Sequence, residues 1–581
     1  MANLHGVEHW ANVDKNSILN DFIFSLYEAR GDNSKTLLPL LTNIHSPNLL
    51  DSSELAASLL ADAITNNFQI AVVGDFDADG ATSTALAILA LNAFGAKNVR
   101  YLIPSRFKDG YGLTPGLVDE AFRLGTKLIL TVDNGVSAFD GIARAKELGI
   151  KVIVTDHHLP PDTLPEPDVI INPNLQTSHF PSKNLAGVGV CFYLMLSLRS
   201  FLRNIGYFDK NNIPEPNLAS FLDLVALGTV ADLVSLDENN RILVFHGLQR
   251  IKAGFCRPGI AALLQVAKKD MNRIDARDLG FTLGPRLNAA GRLDDMSVGV
   301  ELLICNDPNQ AIALAEELDA LNESRKAIEQ VMQSEALVQC QSILQDDLDN
   351  QYGVSLYHEE WHQGIIGLIA SRIKEKIGRP VFAFAPSDEK DFLKGSGRSI
   401  SGIHLRDILE AMQTKHPGLM EKFGGHAMAA GLTIKKAHFF LFKDIFNQIL
   451  INSVDPSVFK EEIIIDGKLP KVLFDLDVAK KIKSAGPWGQ GFNEPMFEGT
   501  FKVLNQKLLK DKHLKLVLEP ITSTTDLLPG ILIDAIAFNV DNTIWPDRSV
   551  HKIHSVFKLD INFYRGEENL QLLIEYLEPA K

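Results

Sequence analysis

Between residues 69 and 155, short apolar runs alternate with amphipathic segments whose apolar positions recur at helical spacing. The runs predict strands over 69–74, 99–103, 127–132 and 151–155, and the segments between them predict helices over 81–94, 115–124 and 138–148. This alternation predicts a parallel sheet with helices on both faces. Ligands of such sheets lie beyond the carboxyl ends of the strands.

Acids and imidazoles follow three of these strands. The residues are Asp75, Asp77 and Asp79 after the first strand, Asp133 after the third, Asp156, His157 and His158 after the fourth, and Asp232 at the end of the apolar segment 224–232. Each cluster alone is also typical of a turn, a helix cap or a histidine bonded to the backbone. Four acidic clusters at one sheet edge would repel each other unless cations neutralised them, so together they favour metal binding.

The ligand set indicates which metal would bind. Carboxylates with one or two imidazoles and no thiolate suit Mn²⁺ or Mg²⁺ better than structural zinc. The four cysteines, which include no C-x-x-C pair, are expected to be reduced thiols. Two ions bridged by a shared carboxylate can activate water and hold a phosphoryl group. The pattern therefore predicts phosphoester hydrolysis.

At these motifs the sequence resembles the DHH phosphoesterases, and the order and spacing of all four resemble the RecJ branch closely. The resemblance implies an exonuclease that degrades single-stranded DNA from the 5′ end. It implies that Asp77 holds one ion, that Asp79, His157 and Asp232 hold the other, and that the catalytic Asp133 bridges them. The catalytic His158 would face the scissile phosphate or support the attacking water, and Asp75 and Asp156 would support their neighbours.

Four glycine-rich segments further along the chain are candidates for phosphate contacts. They cover 281–292, 361–372, 395–399 and 423–431. The candidate substrate-binding residues in them are Arg286, Asn288, Arg292, Arg372, Ser396, Arg398 and His426. A plain turn with solvated side chains is the alternative for each segment alone. For 281–292 the functional interpretation is favoured by the resemblance to RecJ proteins, in which this segment borders the DNA path. For the other three segments it is favoured by resemblance to the DHH-associated substrate-binding domain.

Charge and aromatic residues suggest further contacts with nucleic acid. The net charge of −15 argues against a coat of nucleic acid, but ten Lys and Arg against three Asp between 241 and 292 leave a local basic face open. Strand-like runs over 462–465, 500–504 and 514–518 predict a small C-terminal barrel. The aromatics of 487–492, with Lys507, Lys510, Lys512 and Lys515, could bind single strands. An ordinary β-domain is the alternative, and the RecJ resemblance favours an oligonucleotide-binding barrel.

The predicted fold class is a multidomain α/β protein. Its segments are an N-terminal helical part (1–65), a parallel-sheet DHH domain (66–300), a long connecting helix (301–350), a second α/β DHH-associated domain (351–452) and an OB-like barrel (453–581). The predicted function is Mn²⁺- or Mg²⁺-dependent 5′→3′ hydrolysis of single-stranded DNA in repair and recombination. The rivals are a DHH phosphodiesterase for short oligonucleotides or cyclic dinucleotides and a non-catalytic DNA-binding scaffold.

The expected setting is cytoplasmic. No stretch approaches the roughly 18 apolar residues of a membrane span, and the amino terminus lacks a signal-peptide layout. A monomer that binds single-stranded DNA and cooperates with a helicase and a single-strand-binding protein is expected by family analogy.

Overall fold

The structure is a computed structural model that describes residues 15–32, 38–106, 109–347, 350–460, 462–510, 512–521, 530–541, 543–564 and 566–580. The amino-terminal stretch 1–14, in which no signal peptide is expected, lies outside these residues. The chain divides into two compact units. The first comprises Met1–Pro285, Val300–Ile312 and Ile464–Lys581, and the second comprises Arg286–Gly299 and Ala313–Ile463.

The first unit contains a five-stranded parallel sheet. Its strands are β1 (Gln69–Val73), β2 (Val99–Leu102), β3 (Thr126–Val132), β4 (Lys151–Thr155) and β5 (Val169–Ile171), in the order β2-β1-β3-β4-β5. The predicted parallel sheet is confirmed, and the four predicted strands match β1 to β4 within two residues at each end. The pattern did not indicate β5, because a strand of three residues between Asp168 and Asn172 is too short to give a recognisable apolar run.

Helices cover both faces of this sheet, which explains why its central strands are apolar throughout. The helices up to residue 347 are α1 (Lys15–Glu28), α2 (Ser53–Thr65), α3 (Ala78–Ala93), α4 (Pro115–Arg123), α5 (Phe139–Glu147), α6 (Gly187–Asn204), α7 (Tyr207–Asn211), α8 (Leu222–Ala231), α9 (Glu238–Lys252), α10 (Pro258–Val266), α11 (Ala276–Asp278), α12 (Gly284–Leu293), α13 (Ser297–Ile304) and α14 (Pro308–Asp347). One core layer packs α4 and α5 against the sheet through residues such as Val118, Ile129 and Ile142. The 40-residue α14 is the predicted long helix.

The second unit contains a mixed sheet with a core on each face. Its elements are β6 (Val354–Tyr357), α15 (Ile366–Ile377), β7 (Val381–Pro386), β8 (Phe392–Arg398), α16 (Leu405–Lys415), β9 (Lys422–Gly425), β10 (Ala429–Lys435) and α17 (Phe439–Ser453), with strand order β6-β7-β8-β10-β9. Phe382 and Phe384 pack with α16 and α17 on one face, whereas Val381 and Ala383 face α15 and α14 on the other. The period-two alternation along β7 thus fills both cores.

The C-terminal part of the first unit is a closed barrel. It follows α18 (Leu476–Ser484) and consists of β11 (Phe497–Leu509), β12 (His513–Pro520), β13 (Ile533–Ala537), β14 (Lys552–Tyr564) and β15 (Glu567–Pro579), in the order β11-β12-β13-β15-β14. The predicted barrel is confirmed. The strand predicted over 462–465 is wrong: residues 462–465 join no sheet, and Ile464 is 82% exposed. Within this apolar run, between residues 463 and 464, the chain passes from the second unit to the first.

Candidate metal centre

The acids lie at the carboxyl edge of the parallel sheet, where the strand pattern predicted them. Asp77 caps α3 by accepting the N–H of Gly80 at 2.9 Å, which places Asp79 in the first helical turn. Asp133 directly follows β3 in the left-handed region, with φ of 63°. A residue with a side chain rarely adopts this conformation, and such outliers concentrate at functional sites.

His157 lies among three of these carboxylates. Its Nε2 is 3.1 Å from Asp133 Oδ1, 3.5 Å from Asp232 Oδ2 and 3.9 Å from Asp79 Oδ2. Asp79, His157 and Asp232 offer ligand atoms within 4.8 Å of one another, and so do Asp75, Asp77 and Asp133. Asp133 also forms such a group with His157 and His158. The structure therefore brings all the predicted metal ligands together, with Asp133 shared between two groups.

These carboxyl groups are buried against each other. Burial, reinforced by the charge of Asp77, raises the pKa of Asp79 to about 7. Burial and then the charge of Asp79 raise the pKa values of Asp133 and Asp232 well above the usual range. Burial and the charge of Asp77 do the same to Asp75. Because so many carboxyl groups here have raised pKa values, the cluster favours binding protons or cations over keeping all of its carboxylates charged.

The donor set fits divalent cations. Among the described residues, the buried Oδ1 of Asp75 has no hydrogen-bond partner, and the ligand groups contain oxygens and imidazole nitrogens without thiolate. Buried polar atoms are normally satisfied, so such an oxygen is explained by an ion that it would ligate. Oxygen-rich sites of this type suit Mn²⁺ and Mg²⁺.

Asp156 orients the two histidines. Its Oδ1 accepts the backbone N–H groups of His157 at 2.7 Å and His158 at 3.0 Å, and it lies 2.7 Å from His158 Nδ1. Its Oδ2 accepts the N–H of Val136 at 2.9 Å. Burial alone would raise the pKa of Asp156, but the hydrogen bond and charge of His158 lower it to about 2. Burial alone would lower the pKa of His158, but Asp156 raises it to about 9.

Glycines that sequence reasoning missed hold Asp79 in place. The N–H of Gly187, at the start of α6, donates to Asp79 Oδ2 at 2.6 Å, and the N–H of Val188 donates to Oδ1 at 2.9 Å. A Cβ on Gly187 would lie 2.5 Å from Asp133 Cβ, and one on Gly228 would lie 2.9 Å from Asp79 Oδ1. The only sequence signal was the glycine-rich start of the apolar segment at 186–189.

Tyr111 and Arg106 were missed as well. The Tyr111 hydroxyl is 3.3 Å from the Asp133 carbonyl oxygen and 3.3 Å from the His158 ring nitrogens. The Arg106 guanidinium lies 3.8 Å from the centroid of the Phe76 ring, and its charge acts on Asp75. Nothing in the local sequence pattern distinguishes these residues from ordinary loop positions.

In the second unit, two of the predicted substrate-binding side chains lie together. Arg398 donates to Ser396 Oγ at 3.1 Å, and a Cβ on Gly367, in the first turn of α15, would lie 2.9 Å from Arg398 Nη2. His426 is exposed and lies three residues before Ala429, which pairs with Arg398 in the sheet. Ser396 and Arg398 thus form a polar pair at the end of β8, an interior strand of the mixed sheet.

The predicted arginines of the second unit have intramolecular partners. Arg372 pairs with Glu329 at 3.1 Å, and Arg286 pairs with Asp319 at 2.9 Å. Arg292 donates to the Gly364 carbonyl at 3.2 Å. Asn288 lies on α12 between Arg286 and Arg292 and is partly buried. Phosphate binding by Arg372 or Arg286 would compete with an existing ion pair.

Several of the basic residues counted between 241 and 292 pair with acids instead of forming an open basic face. Arg277 pairs with Glu494 at 3.5 Å and Asp560 at 3.9 Å, and Arg273 pairs with Glu568 at 3.5 Å. The further ion pairs are Arg241 with Asp32, Arg257 with Asp223 and Lys269 with Asp278. Counting charges along one segment could not detect these acids, because many come from other parts of the chain.

The aromatics of 487–492 do not lie open for bases either. Trp488 stacks on Phe492 with ring centroids 5.0 Å apart, and the edge of Tyr27 packs against both. Phe492 is buried. These rings form an internal contact of the first unit.

Family models match most of the chain in three successive parts. They are the DHH family N-terminal domain over residues 69–229, the DHHA1 domain over 349–452 and the RecJ OB domain over 465–576. The chain is also 54% identical over 555 residues to the Escherichia coli (strain K12) protein named single-stranded-DNA-specific exonuclease RecJ, with 95% of each chain covered. The chain belongs to the RecJ family.

Other RecJ proteins agree with this assignment. The Haemophilus influenzae RecJ is 50% identical over 97% of each chain. The crystal structure of Thermus thermophilus RecJ in complex with Mn²⁺ matches with a TM-score of 0.77 at 28% identity, covering 96% of this chain and 76% of that one. A structure of the same Thermus thermophilus protein with Mg²⁺ matches with a TM-score of 0.72 at 27% identity, covering 96% of this chain and 75% of that one. The predicted Mn²⁺ or Mg²⁺ cofactor thus agrees with both the donor set and the family. Among the described helices, none combines the length and apolar character needed to cross a membrane.

Proposed function

We propose that this RecJ-family chain is an exonuclease that hydrolyses single-stranded DNA from its 5′ end with two divalent cations. The observation that carries the proposal is the cluster of three buried carboxylates, Asp75, Asp79 and Asp133, with the partly buried Asp77 and Asp232 around His157 at the carboxyl edge of the parallel sheet. Its support from similarity is the match over 95% of the chain to proteins named single-stranded-DNA-specific exonucleases.

The ligand assignment follows the grouping of the donors. Asp75, Asp77 and Asp133 would hold one cation, and Asp79, His157 and Asp232 would hold the other. Asp133 would contribute to both, because its Oδ1 lies 3.1 Å from His157 Nε2. When bound, such a pair of cations polarises the phosphate and acidifies a water for in-line attack. Asp75 enters this set on its geometry, as a third carboxylate with Asp77 and Asp133.

The surrounding residues prepare the site without contacting the substrate. Asp156 fixes the orientation of His157 and His158 through three hydrogen bonds. Gly187 and Val188 hold Asp79 with two backbone N–H groups. Such outer partners fix the angle at which each ligand meets a metal ion.

His158 is assigned to the substrate. Its side chain is 32% exposed, and Asp156 raises its pKa to about 9, so the imidazole of the metal-free protein carries a proton at neutral pH. The protonated imidazole of His158 would donate a hydrogen bond to an oxygen of the scissile phosphate. The charge of Arg106 near Asp75 and Asp77 makes this residue a second candidate for the terminal phosphate.

The remaining proposed contacts lie on the second unit and the barrel. Ser396 and Arg398 are assigned to the phosphate backbone because their side chains hydrogen-bond to each other at the end of β8, and His426 is assigned to it because it is exposed just before β10. Arg286, Asn288, Arg292 and Arg372 are retained as weaker candidates, given the contacts of their three arginines. The barrel would extend the track for a single strand.

The wider setting is part of the same proposal and rests on the family alone. It comprises a monomeric, cytoplasmic enzyme that acts in repair and recombination with a helicase and a single-strand-binding protein. Pull-down of these proteins with the Asp133→Ala chain from cell extract tests the partner assignment.

The direct test compares substrates and blocked ends. Long single strands, duplexes and dinucleotides are supplied with Mn²⁺ to the wild type and to Asp133→Ala. We expect rapid release of mononucleotides from single strands only, prevention by a bulky 5′ block but not a 3′ block, and loss of activity in the variant. Faster turnover of dinucleotides would favour the small-substrate phosphodiesterase, and equal activity of both proteins would overturn the metal mechanism.

A further inference from the structure

The loop formed by residues 486–492, here called the 486–492 loop, packs against the segment that follows Asp232. The backbone N–H of Leu236 donates to the carbonyl oxygen of Gln490 at 2.7 Å. A Cβ on Gly489 would lie 2.7 Å from Leu236 Cδ1, and one on Gly491 would lie 1.9 Å from Ser235 Oγ. The loop therefore touches the chain three and four residues after a proposed metal ligand, and glycine is needed at the contact.

Aromatic, cation–π and hydrogen-bond contacts hold the 486–492 loop in place. Trp488 stacks on Phe492 with an angle of 9° between the rings, and Tyr27 of α1 packs its edge against both. The Arg241 guanidinium lies 3.7 Å from the Phe492 ring centroid and pairs with Asp32. Trp488 Nε1 also donates to the carbonyl of Ile482 at 2.8 Å. Because these contacts hold the loop in place, the loop in turn fixes the position of Ser235 and Leu236, which pack against it.

Asp232 is positioned by the backbone on both of its sides. Before it, α8 approaches the acid cluster so closely that a Cβ on Gly228 would lie 2.2 Å from Thr82 Oγ1. After it, Leu233 adopts the left-handed region with φ of 61°, and Asn240 Nδ2 donates to the Ser235 carbonyl at 2.9 Å. The contact of Leu236 with Gln490 completes this second support. The end of α8 thus has one support from the catalytic domain itself and one from the segment that leads into the barrel.

We propose that the 486–492 loop positions Asp232 for metal binding, so that Gly491, Gly489 and Gln490 act as positioning residues of the metal centre. The inference rests on the proposed role of Asp232 as a ligand. Metal–oxygen bonds tolerate only a few tenths of an ångström, so a shift of residues 233–236 would weaken the ion that Asp232 shares with Asp79 and His157. The aromatic motif is then explained by support of the centre instead of stacking on bases.

The test measures Mn²⁺ binding to the full chain by isothermal titration calorimetry after removal of metal by a chelator. In Gly491→Ala the new methyl group must displace Ser235, and we expect about tenfold weaker binding at one of two sites. Gly566→Ala is the matched control, because Gly566 also has a positive φ of 90° but nothing within 4 Å of its Cβ position. It should bind Mn²⁺ like the wild type.

Two further variants keep the test decisive. Gly489→Ala meets the Leu236 side chain at Cδ1 and Cγ, 2.7 and 3.3 Å away, so it serves as the milder variant if circular dichroism shows that Gly491→Ala does not fold. Asp232→Asn tests the ligand assignment directly. Weaker binding in Asp232→Asn with wild-type binding in the folded glycine variants overturns the positioning role alone. Wild-type binding in Asp232→Asn overturns the assignment of Asp232 on which the inference depends.

Discussion

Asp156 accepts hydrogen bonds from both backbone N–H groups of His157 and His158 through a single oxygen, which also lies 2.7 Å from His158 Nδ1. One carboxylate therefore sets the direction of a proposed metal ligand and of a proposed phosphate contact. Since each oxygen of Asp156 is already engaged, we assign it to holding the backbone of both histidines and the imidazole of His158.

Asp156→Asn should reduce exonuclease activity by about 10- to 100-fold, the usual effect of losing a partner that orients a ligand. Without the carboxylate, the pKa of His158 should fall from about 9 towards its ordinary value near 6.5. The measurement is the NMR titration of His158 in metal-free protein, assigned with His158→Gln. The control is Asp51→Asn, which breaks a similar contact with His179 at the surface. An unchanged titration in Asp156→Asn would contradict this role.

Gly187→Ala should impair the metal centre more than the fold. The added methyl group would lie 2.5 Å from Asp133 Cβ and would push apart α6 and the proposed bridging ligand. Overpacking of this type costs about 1–3 kcal/mol, and we expect roughly tenfold higher Mn²⁺ concentrations for half-maximal activity. Gly116→Ala, in the first turn of α4 with only Thr114 Oγ1 at 3.9 Å, is the control and should behave like the wild type. Wild-type Mn²⁺ dependence in Gly187→Ala would argue against Asp133 as a ligand.

The metal-free protein should lose stability as the pH rises from 6 to 8. Burial and Asp77 raise the pKa of Asp79 to about 7, above the value near 3.9 of an unfolded chain. A raised folded pKa stabilises the protein fully below the unfolded pKa, and this contribution is lost as the pH rises through the folded value. Thermal unfolding with a chelator should show the fall in melting temperature, and Mn²⁺ should abolish it because the cation replaces the proton. A melting temperature of chelated protein that rises over this interval would contradict the raised pKa.

Arg277→Ala should lower the melting temperature without weakening binding to single-stranded DNA. Its guanidinium pairs with Glu494 and Asp560, so its loss affects contacts within the first unit. The measurements are thermal unfolding and the salt dependence of DNA binding, with Lys268→Ala from the same basic segment for comparison. If Arg277 contacted phosphate, the slope of log affinity against log salt would fall by about one.

The fold could be predicted from the sequence where burial leaves a clear pattern. Strands β1, β3 and β4 are covered on both faces, so their apolar runs mark them within one residue at most ends. The acids followed from the rule that ligands gather beyond the carboxyl ends of parallel strands. Asp232 ends a helix instead of a strand, and its position after an apolar segment made it a candidate only together with the other three clusters.

The parts that could not be predicted depend on contacts between distant segments. Gly187 supports Asp79 from 108 residues away, and Tyr111 reaches His158 across 47 residues. The sequence leaves a basic face and base-stacking aromatics open, because the partners of these residues, such as Glu494 and Tyr27, lie elsewhere in the chain. Local sequence patterns reveal which side chains are present but not which of them neutralise or cover one another.

In the proposed mechanism, Asp133 joins two cation sites into one hydrolytic centre. The most direct measurement counts Mn²⁺ bound per chain by calorimetry and elemental analysis, alongside hydrolysis of 5′-labelled single strands, in the wild type, Asp133→Asn and the exposed control Asp140→Asn. We predict two ions and full activity for the wild type and Asp140→Asn, and weakened binding at both sites with loss of activity for Asp133→Asn. Two tightly bound ions and wild-type hydrolysis in Asp133→Asn would contradict the claim.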